Sequence, residues 1–300
     1  MRAYGFTEAG GPEKQVFLDV PVPAPGPGEL LVQVRAAGVN PGDWRLRDGT
    51  YGISGPAVLG REVAGTVTAL GPGVAGFSVG DEVFGGCPGM VGGWAEQALV
   101  TASFAAHRPE SVSREAAAVL PVAVGTAHDA LENLGLPAGA TLLVNGAGGG
   151  VGIPVVQLAR ARGINVVGVA SPAKHDLVAG FGATPVAYGD GLLDRVRVAA
   201  PNGVDAVFDL VGGAALRAVA GLVADRSRLL SVADKPLVRE LGGQVVERDR
   251  STAVLTSLVR LVASKALDPH VAQIRPLDEA RQALAEVENG HVVGKVVLVP

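Results

Sequence analysis

The residues whose spacing carries the most chemistry run from Leu142 to Gly163, LLVNGAGGGVGIPVVQLARARG. Within this stretch Ala147, Gly149 and Gly152 form an A-x-G-x-x-G pattern, with further glycines at Gly146, Gly148 and Gly150. Such a turn between an apolar strand and a helix lets the backbone approach a pyrophosphate and points the helix N-terminus at it. A Gly-rich turn also occurs as a plain connection, so the flanking strand-helix-strand context carries the argument. The required strand, TLLVN (141–145), comes directly before, and the next, INVVGVA (164–170), ends about twenty residues on. After it the chain reads SPAKHD, placing Ser171 and Lys174 where a carboxylate would bond a ribose diol. Small polar and basic residues there suit a 2′-phosphate, which favours NADPH over NADH. A solvated surface lysine is the alternative for Lys174.

The elements that must position these residues fall into two patterns. In the N-terminal third, short Val-rich segments (29–39, 63–70, 80–86) alternate with Gly/Pro turns such as PAPGPGE and GPGVAGFSVG, the pattern of a small barrel-like sheet. From Ser113 the pattern changes, first to a helix pair with Ser113 as N-cap. Strands at 141–145, 164–170, 184–188, 204–211, 227–233 and 243–247 then alternate with helices at 151–162, 172–180 and 214–223. Apolar strands alternating with amphipathic helices predict a parallel sheet covered on both faces. The tail, VAQIRPLDEARQALAEVENGHVVGKVVLVP, reads as strand, helix and strand and fits a return to the first domain.

Composition narrows the partners. The 300 residues carry 25 basic and 29 acidic side chains, a formal net charge of −4, with no basic stripe to match nucleic acid. A small molecule is the expected partner. The single cysteine, Cys87, excludes an internal disulfide framework, excludes a zinc site built on several thiolates, and fits a reducing cytoplasm. The uncharged stretch 133–159 is long enough for a bilayer, but its seven glycines and two prolines read as strand, turn and buried helix. No membrane partner is expected.

Ordered segments across nearly the whole length carry a resemblance: AAGVNPGDWRLRDG (36–49), LGREVAGTVTALGPGVAGFSVGDEVFG (59–85), GGWAEQALV (92–100), AAVLPVAVGTAHDAL (117–131), LLVNGAGGGVG (142–152), VDAVFDLVGG (204–213) and GHVVGKVVL (290–298). On these the chain resembles the medium-chain dehydrogenase/reductase superfamily, in its zinc-independent, zeta-crystallin-like NADPH:quinone oxidoreductase branch. The resemblance implies an α/β fold with a GroES-like β-barrel catalytic domain (1–115 and 266–300) and a Rossmann doubly wound parallel sheet (116–265). It also implies that Asn40, Arg61 and the vicinity of Pro121 occupy the zinc-ligand positions of the zinc alcohol dehydrogenases. An amide, a guanidinium and a proline cannot replace the nitrogen and sulfur donors that zinc needs.

By the same resemblance, Asn40 lies at the nicotinamide ribose and Thr126 at the carboxamide. Gly149, Gly150 and Val151 cradle the pyrophosphate, with Ala147 and Gly148 in the same cofactor site. Ser171, Lys174 and Tyr188 hold the 2′-phosphate end, and Tyr51 faces the substrate cleft, so Asn40 and Tyr51 are the catalytic candidates. Each has a bland alternative: Asn40 as the start of the NPGD turn, Thr126 as a helix cap, Tyr188 as a half-buried aromatic, Tyr51 as a surface residue. A histidine at 128 is expected to be satisfied by its neighbours, and Glu62 to pair with Arg61. The implied reaction is hydride transfer from NADPH to a quinone or an α,β-unsaturated carbonyl. Two rivals share the fold: an enoyl-thioester reductase, for which Arg45, Arg47 and Arg61 would have to assemble a basic entrance, and a non-enzymatic NADPH-binding or redox-sensing protein. Relatives often pair through the Rossmann sheet edge, and the last strand, 243–247, could serve a homodimer in that way, although the sequence alone does not fix the oligomer.

Overall fold

The computed structural model describes residues 1–290 and 292–300; His291, inside the GHVVGKVVL segment, lies outside the described residues. The chain divides into two compact units, Met1–Gly125 with Arg250–Pro300, and Thr126–Asp249.

Unit 1 opens with β1 (Arg2–Phe6), β2 (Gln15–Asp19), β3 (Glu29–Val39), α1 (Pro41–Arg47) and β4 (Ala57–Val58). It continues with β5 (Glu62–Leu70), β6 (Glu82–Gly86), β7 (Gln97–Thr101), β8 (Ala105–His107) and α2 (Arg114–Ala117). β1 is central in a small antiparallel sheet, β2-β1-β4. The larger sheet has the order β15-β16-β3-β5-β6-β8, with β7 also on β3; its strands β15 (Val271–Pro276) and β16 (Lys295–Val299) come from the C-terminal tail. Two register shifts along the β3–β5 ladder bend the long third strand, as bulges do. The Val-rich segments predicted these strands because alternate residues bury against Phe6, Trp94, Leu284 and Leu298 in one core. The tail therefore completes this unit, as its pattern implied.

Unit 2 begins within α3 (Gly125–Leu134) and runs through β9 (Thr141–Asn145), α4 (Gly152–Ala161), β10 (Asn165–Ala170), α5 (His175–Phe181) and β11 (Thr184–Ala187). Then follow α6 (Leu192–Ala199), β12 (Ala206–Asp209), α7 (Gly213–Ala220), β13 (Leu229–Ser231), α8 (Lys235–Glu240) and β14 (Gln244–Val245). All six strands are parallel in the order β11-β10-β9-β12-β13-β14. Numbered along the chain that is 3-2-1-4-5-6, the doubly wound dinucleotide order. The stretch 133–159 is the end of α3, β9, the glycine turn and α4, and no helix among the described residues is long and apolar enough to cross a membrane.

Three expectations are corrected. The domain boundaries move from 115/116 and 265/266 to 125/126 and 249/250. The reason is α9 (Thr252–Ala263), which packs on β8 and the 120–124 turn and bonds Ala102 through Thr252 Oγ1 at 3.2 Å. It stays in unit 1 with α10 (Ala280–Glu288). The expected helix pair after Ser113 is one turn of α-helix, a π-helical turn at Leu120–Val124 and α3. Pro121 lacks the N–H that a regular helix would use there. The last sheet strand is two residues, Gln244–Val245, not five, so the edge expected to pair two copies is short.

Candidate active-site residues

In unit 2 the glycine turn is built by close packing. Gly146 adopts φ 97°, and its N–H and that of Ala147 both donate to Val169 O at 3.0 Å, tying the turn to β10. A Cβ on Gly152 would lie 2.4 Å from Gly146 O and 2.6 Å from Ala147 Cα, so only glycine lets α4 start this close to the strand end. Gly149, Gly150 and Val151 are part-exposed at the head of α4, where first-turn amides lack intrahelical acceptors; of the three, the Gly149 N–H is taken by Gly146 O at 3.2 Å. Ala147 faces the other way: it is fully buried, and a Cβ on Gly168 of β10 would lie 2.9 Å from its methyl. Its part is to hold the turn on the sheet. Gly148 is also buried, under the methylenes of Lys174, whose Cδ would lie 2.7 Å from an added Cβ.

The ends of β10 and β11 lie side by side, Ala170 opposite Ala187, which brings the stretches bearing Ser171 and Tyr188 together. Ser171 precedes a 3-10 turn, Pro172–Lys174. Burial lowers the pKa of the Lys174 ammonium. Tyr188 is 62% exposed, not the half-buried aromatic of the bland reading. The loop that carries it is fastened by Arg195, whose guanidinium donates to the carbonyls of Ala187 (3.0 Å), Tyr188 (3.2 Å), Gly189 (3.3 Å) and Asp190 (2.8 Å). The sequence reading missed Arg195.

It also missed the buried carboxylate at the centre of the sheet. Asp209 is fully buried at the end of β12, opposite Asn145 of β9 and Ser231 of β13. Its oxygens accept from Asn145 Nδ2 (2.7 Å), Ser231 Oγ (2.7 Å), and the amides of Val211 (3.2 Å) and Gly212 (3.0 Å). An acidic residue ending an apolar strand, AVFD, was the available signal.

Thr126 lies in the first turn of α3 and does not cap it; it is 6% exposed and accepts from Arg248 Nη1 at 2.7 Å. Arg248 also binds Asp129 at 2.6 Å, and His128 Nδ1 meets the same carboxylate at 3.0 Å. His128 is thus satisfied by its neighbours.

In unit 1, Asn40 is the N-cap residue of α1 and its backbone N–H donates to Asp43 Oδ2 at 2.8 Å, so the NPGD segment opens a helix. The Asn40 side chain is 4% exposed. Its Nδ2 donates to Glu62 Oε1 (2.8 Å) and its Oδ1 accepts from Lys295 Nζ (2.6 Å). Lys295 donates also to Val39 O at 2.8 Å and lies 3.5 Å from Glu62 Oε1, while Glu62 Oε2 accepts from the Val122 amide at 2.7 Å. Glu62 therefore pairs with Lys295, and the expected Arg61 pair is replaced: Arg61 Nε sits 3.7 Å from Asp43 Oδ1 instead. A buried lysine opening the otherwise apolar strand KVVLV demands a partner, and that was the missed signal.

Burial sets the charges of this cluster. It raises Asp43 to about 6 despite the neighbouring Arg61, lowers the Lys295 ammonium against the pull of Glu62, and pushes the Cys87 thiol up. Tyr51 is 43% exposed, with its ring 4.9 Å from the Arg61 guanidinium carbon. Among the described residues no three His, Cys, Asp or Glu side chains gather to hold a metal ion. Arg47, one of three arginines needed for a thioester entrance, is 2% exposed and bound bidentately to Glu288 at 2.9 and 3.0 Å.

Comparison with known proteins agrees with this architecture. Residues 26–110 match the alcohol dehydrogenase GroES-like domain and residues 181–298 match the zinc-binding dehydrogenase domain. The quinone oxidoreductase of Rattus norvegicus is 35% identical, over 86% of this chain and 79% of its own length. The synaptic vesicle membrane protein VAT-1 homolog of Mus musculus is 31% identical over the whole chain and 84% of its own. Among solved structures, the quinone oxidoreductase from Coxiella burnetii superposes with a TM-score of 0.91 at 28% identity, covering 100% of this chain and 99% of that one. A mycobacterial protein solved complexed with NADPH gives 0.88 at 32% identity, with both chains fully covered.

Proposed function

The chain is a nicotinamide-dependent oxidoreductase belonging to the quinone oxidoreductase branch of the medium-chain dehydrogenase/reductase superfamily, and from that premise we propose that it uses NADPH to reduce a quinone or an α,β-unsaturated carbonyl without zinc. The observation that carries this reading is the donor set at the zinc-ligand positions. The Asn40 amide is engaged by Glu62 and Lys295, Arg61 brings a cation, and Pro121 brings no side-chain donor. Zinc does not fit such a set. An acceptor that spreads developing negative charge over a conjugated system needs no Lewis acid, which selects quinones and enones among carbonyl compounds.

Support for NADPH comes from unit 2. A reduced nicotinamide supplies the hydride when bound; the protein's part is to hold and orient it. The part-exposed Gly150 and Val151 offer amides to a pyrophosphate, beside Gly149, whose own N–H donates to Gly146 O at 3.2 Å, and Ser171, Lys174 and Tyr188 gather at the ends of two adjacent strands with no carboxylate before Asp176. Positioning of this kind contributes roughly 7 to 11 kcal/mol in favourable cases. The thioester reading is weakened by the burial of Arg47.

The test follows NADPH oxidation with benzoquinone, phenanthrenequinone, an alkenal and crotonyl-CoA, with and without chelator. Turnover of quinone or alkenal that chelator leaves unchanged is expected, and chelator sensitivity would overturn the zinc-free reading. Lys174→Met should weaken NADPH and leave NADH unchanged. Gly152→Ala should weaken both about tenfold or more, because its methyl meets backbone that cannot yield. Tight NADPH binding with no turnover of any acceptor would favour a binding or sensing role.

A further inference from the structure

Arg61 enters the reading above only as a side chain that cannot ligate zinc, and its guanidinium has a further property. Its side chain is only 13% exposed, yet it is underemployed: Nη2 donates to Gly42 O at 2.8 Å, and Nε and Nη1 have no hydrogen-bond partner among the described residues. Nε is buried 3.7 Å from Asp43 Oδ1, itself fully buried and without a hydrogen bond. An unsatisfied buried donor and acceptor side by side call for an explanation. The fold makes room for this group. A Cβ on Gly42 would lie 2.4 Å from both the Cζ and the Nε of Arg61, so the guanidinium occupies a notch that exists because residue 42 has no side chain. Above it lies the Tyr51 ring, 43% exposed.

Asp43 steers the guanidinium but takes none of its N–H bonds, and the Tyr51 ring covers it through the π-face, which likewise consumes no donor. What remains is a cation held from the side and from above, with donor capacity to spare, at a position where the resemblance would put a zinc ligand.

We propose that Arg61, with Tyr51 beside it, forms an oxyanion site that holds the carbonyl oxygen of the acceptor as negative charge develops on it. This rests on the quinone or enone reductase reading. The acceptor carbon gains the hydride, the conjugated π pair shifts onto the acceptor oxygen, and the nicotinamide is left oxidised. The oxyanion pairs with the guanidinium, and water then returns a proton to it. A fixed cation aimed at such an oxygen is the usual source of a large rate effect.

The experiment reads anion binding apart from turnover. Lawsone, a hydroxynaphthoquinone that is an anion at neutral pH, is titrated into cofactor-free protein and followed by its visible absorbance. Wild type should bind it, and Arg61→Met should weaken binding about tenfold or more. Gly42→Ala keeps the charge and places a good helix former in α1, but its methyl displaces the guanidinium, so it should weaken binding in the same direction. Arg61→Met should also lose on the order of 100-fold in kcat with quinone while the NADPH dissociation constant stays within about twofold. Absence of lawsone binding in wild type, or binding unchanged in both variants, overturns the proposal. Arg61-dependent lawsone binding in a protein that reduces no acceptor would instead sink the reductase reading and leave an anion site standing.

Discussion

Glu62 and Asp43 of unit 1 and Asp209 of unit 2 are completely buried carboxylates, and the two clusters neutralise them differently. In unit 1, Glu62 lies against Lys295, Asn40 and the Val122 amide, and Asp43 against Arg61. In unit 2, Asp209 accepts only from neutral donors: an amide side chain, a hydroxyl and two backbone N–H groups. The first arrangement uses full charges, whose energy depends on every partner being present and on pH. The second uses dipoles fixed by the sheet, each contributing modestly and none titrating near neutrality.

The largest expected effect breaks the first arrangement. Lys295→Met leaves Glu62 buried without its cation and should cost about 3 to 5 kcal/mol in urea unfolding, with Glu62→Gln in the same chain recovering part of it. A double mutant no better than the single one would place the pair's value elsewhere than in charge.

Acid titration should sharpen the contrast. Asp43 is raised from 3.8 to about 6, so the folded state binds its proton more tightly than the unfolded state does. Stability contributed by that proton is present below about 4 and is lost as pH rises to about 6, by at most about 3 kcal/mol. Asp43→Asn should flatten this part of the stability profile; a profile of unchanged slope would show that Asp43 ionises normally.

Least costly is Ser231→Ala, which removes one of several donors to Asp209 and should cost about 1 kcal/mol, independent of pH near neutrality and of salt. A salt-dependent loss would mean that a charge takes part in that cluster after all.

The same contrast explains what could be read in advance. The Asp209 group sits at aligned strand ends, and the strands TLLVN, VDAVFDLV and SRLLSVA were legible from apolar runs; their register alone juxtaposes Asn145, Asp209 and Ser231. The glycine turn was legible for the same reason, since strand, turn and helix are local. Unit 1 was harder because Lys295 meets Asn40 from the far end of the chain, where nothing in a local pattern records the meeting. The assignment of α9 to unit 1 escaped notice likewise, because its partners, β8 and the turn after α2, lie more than a hundred residues earlier.

Gly42 and Arg61 also set an order in which changes can be accepted. With any side chain at 42 the notch is filled, and an arginine arriving at 61 would have to lay its guanidinium elsewhere. With glycine already present, arginine can enter; once it is there, a methyl at 42 evicts it, and its removal leaves Asp43 buried without a counter-ion. The two positions are physically coupled, so a change at residue 61 or at residue 42 is felt at the other.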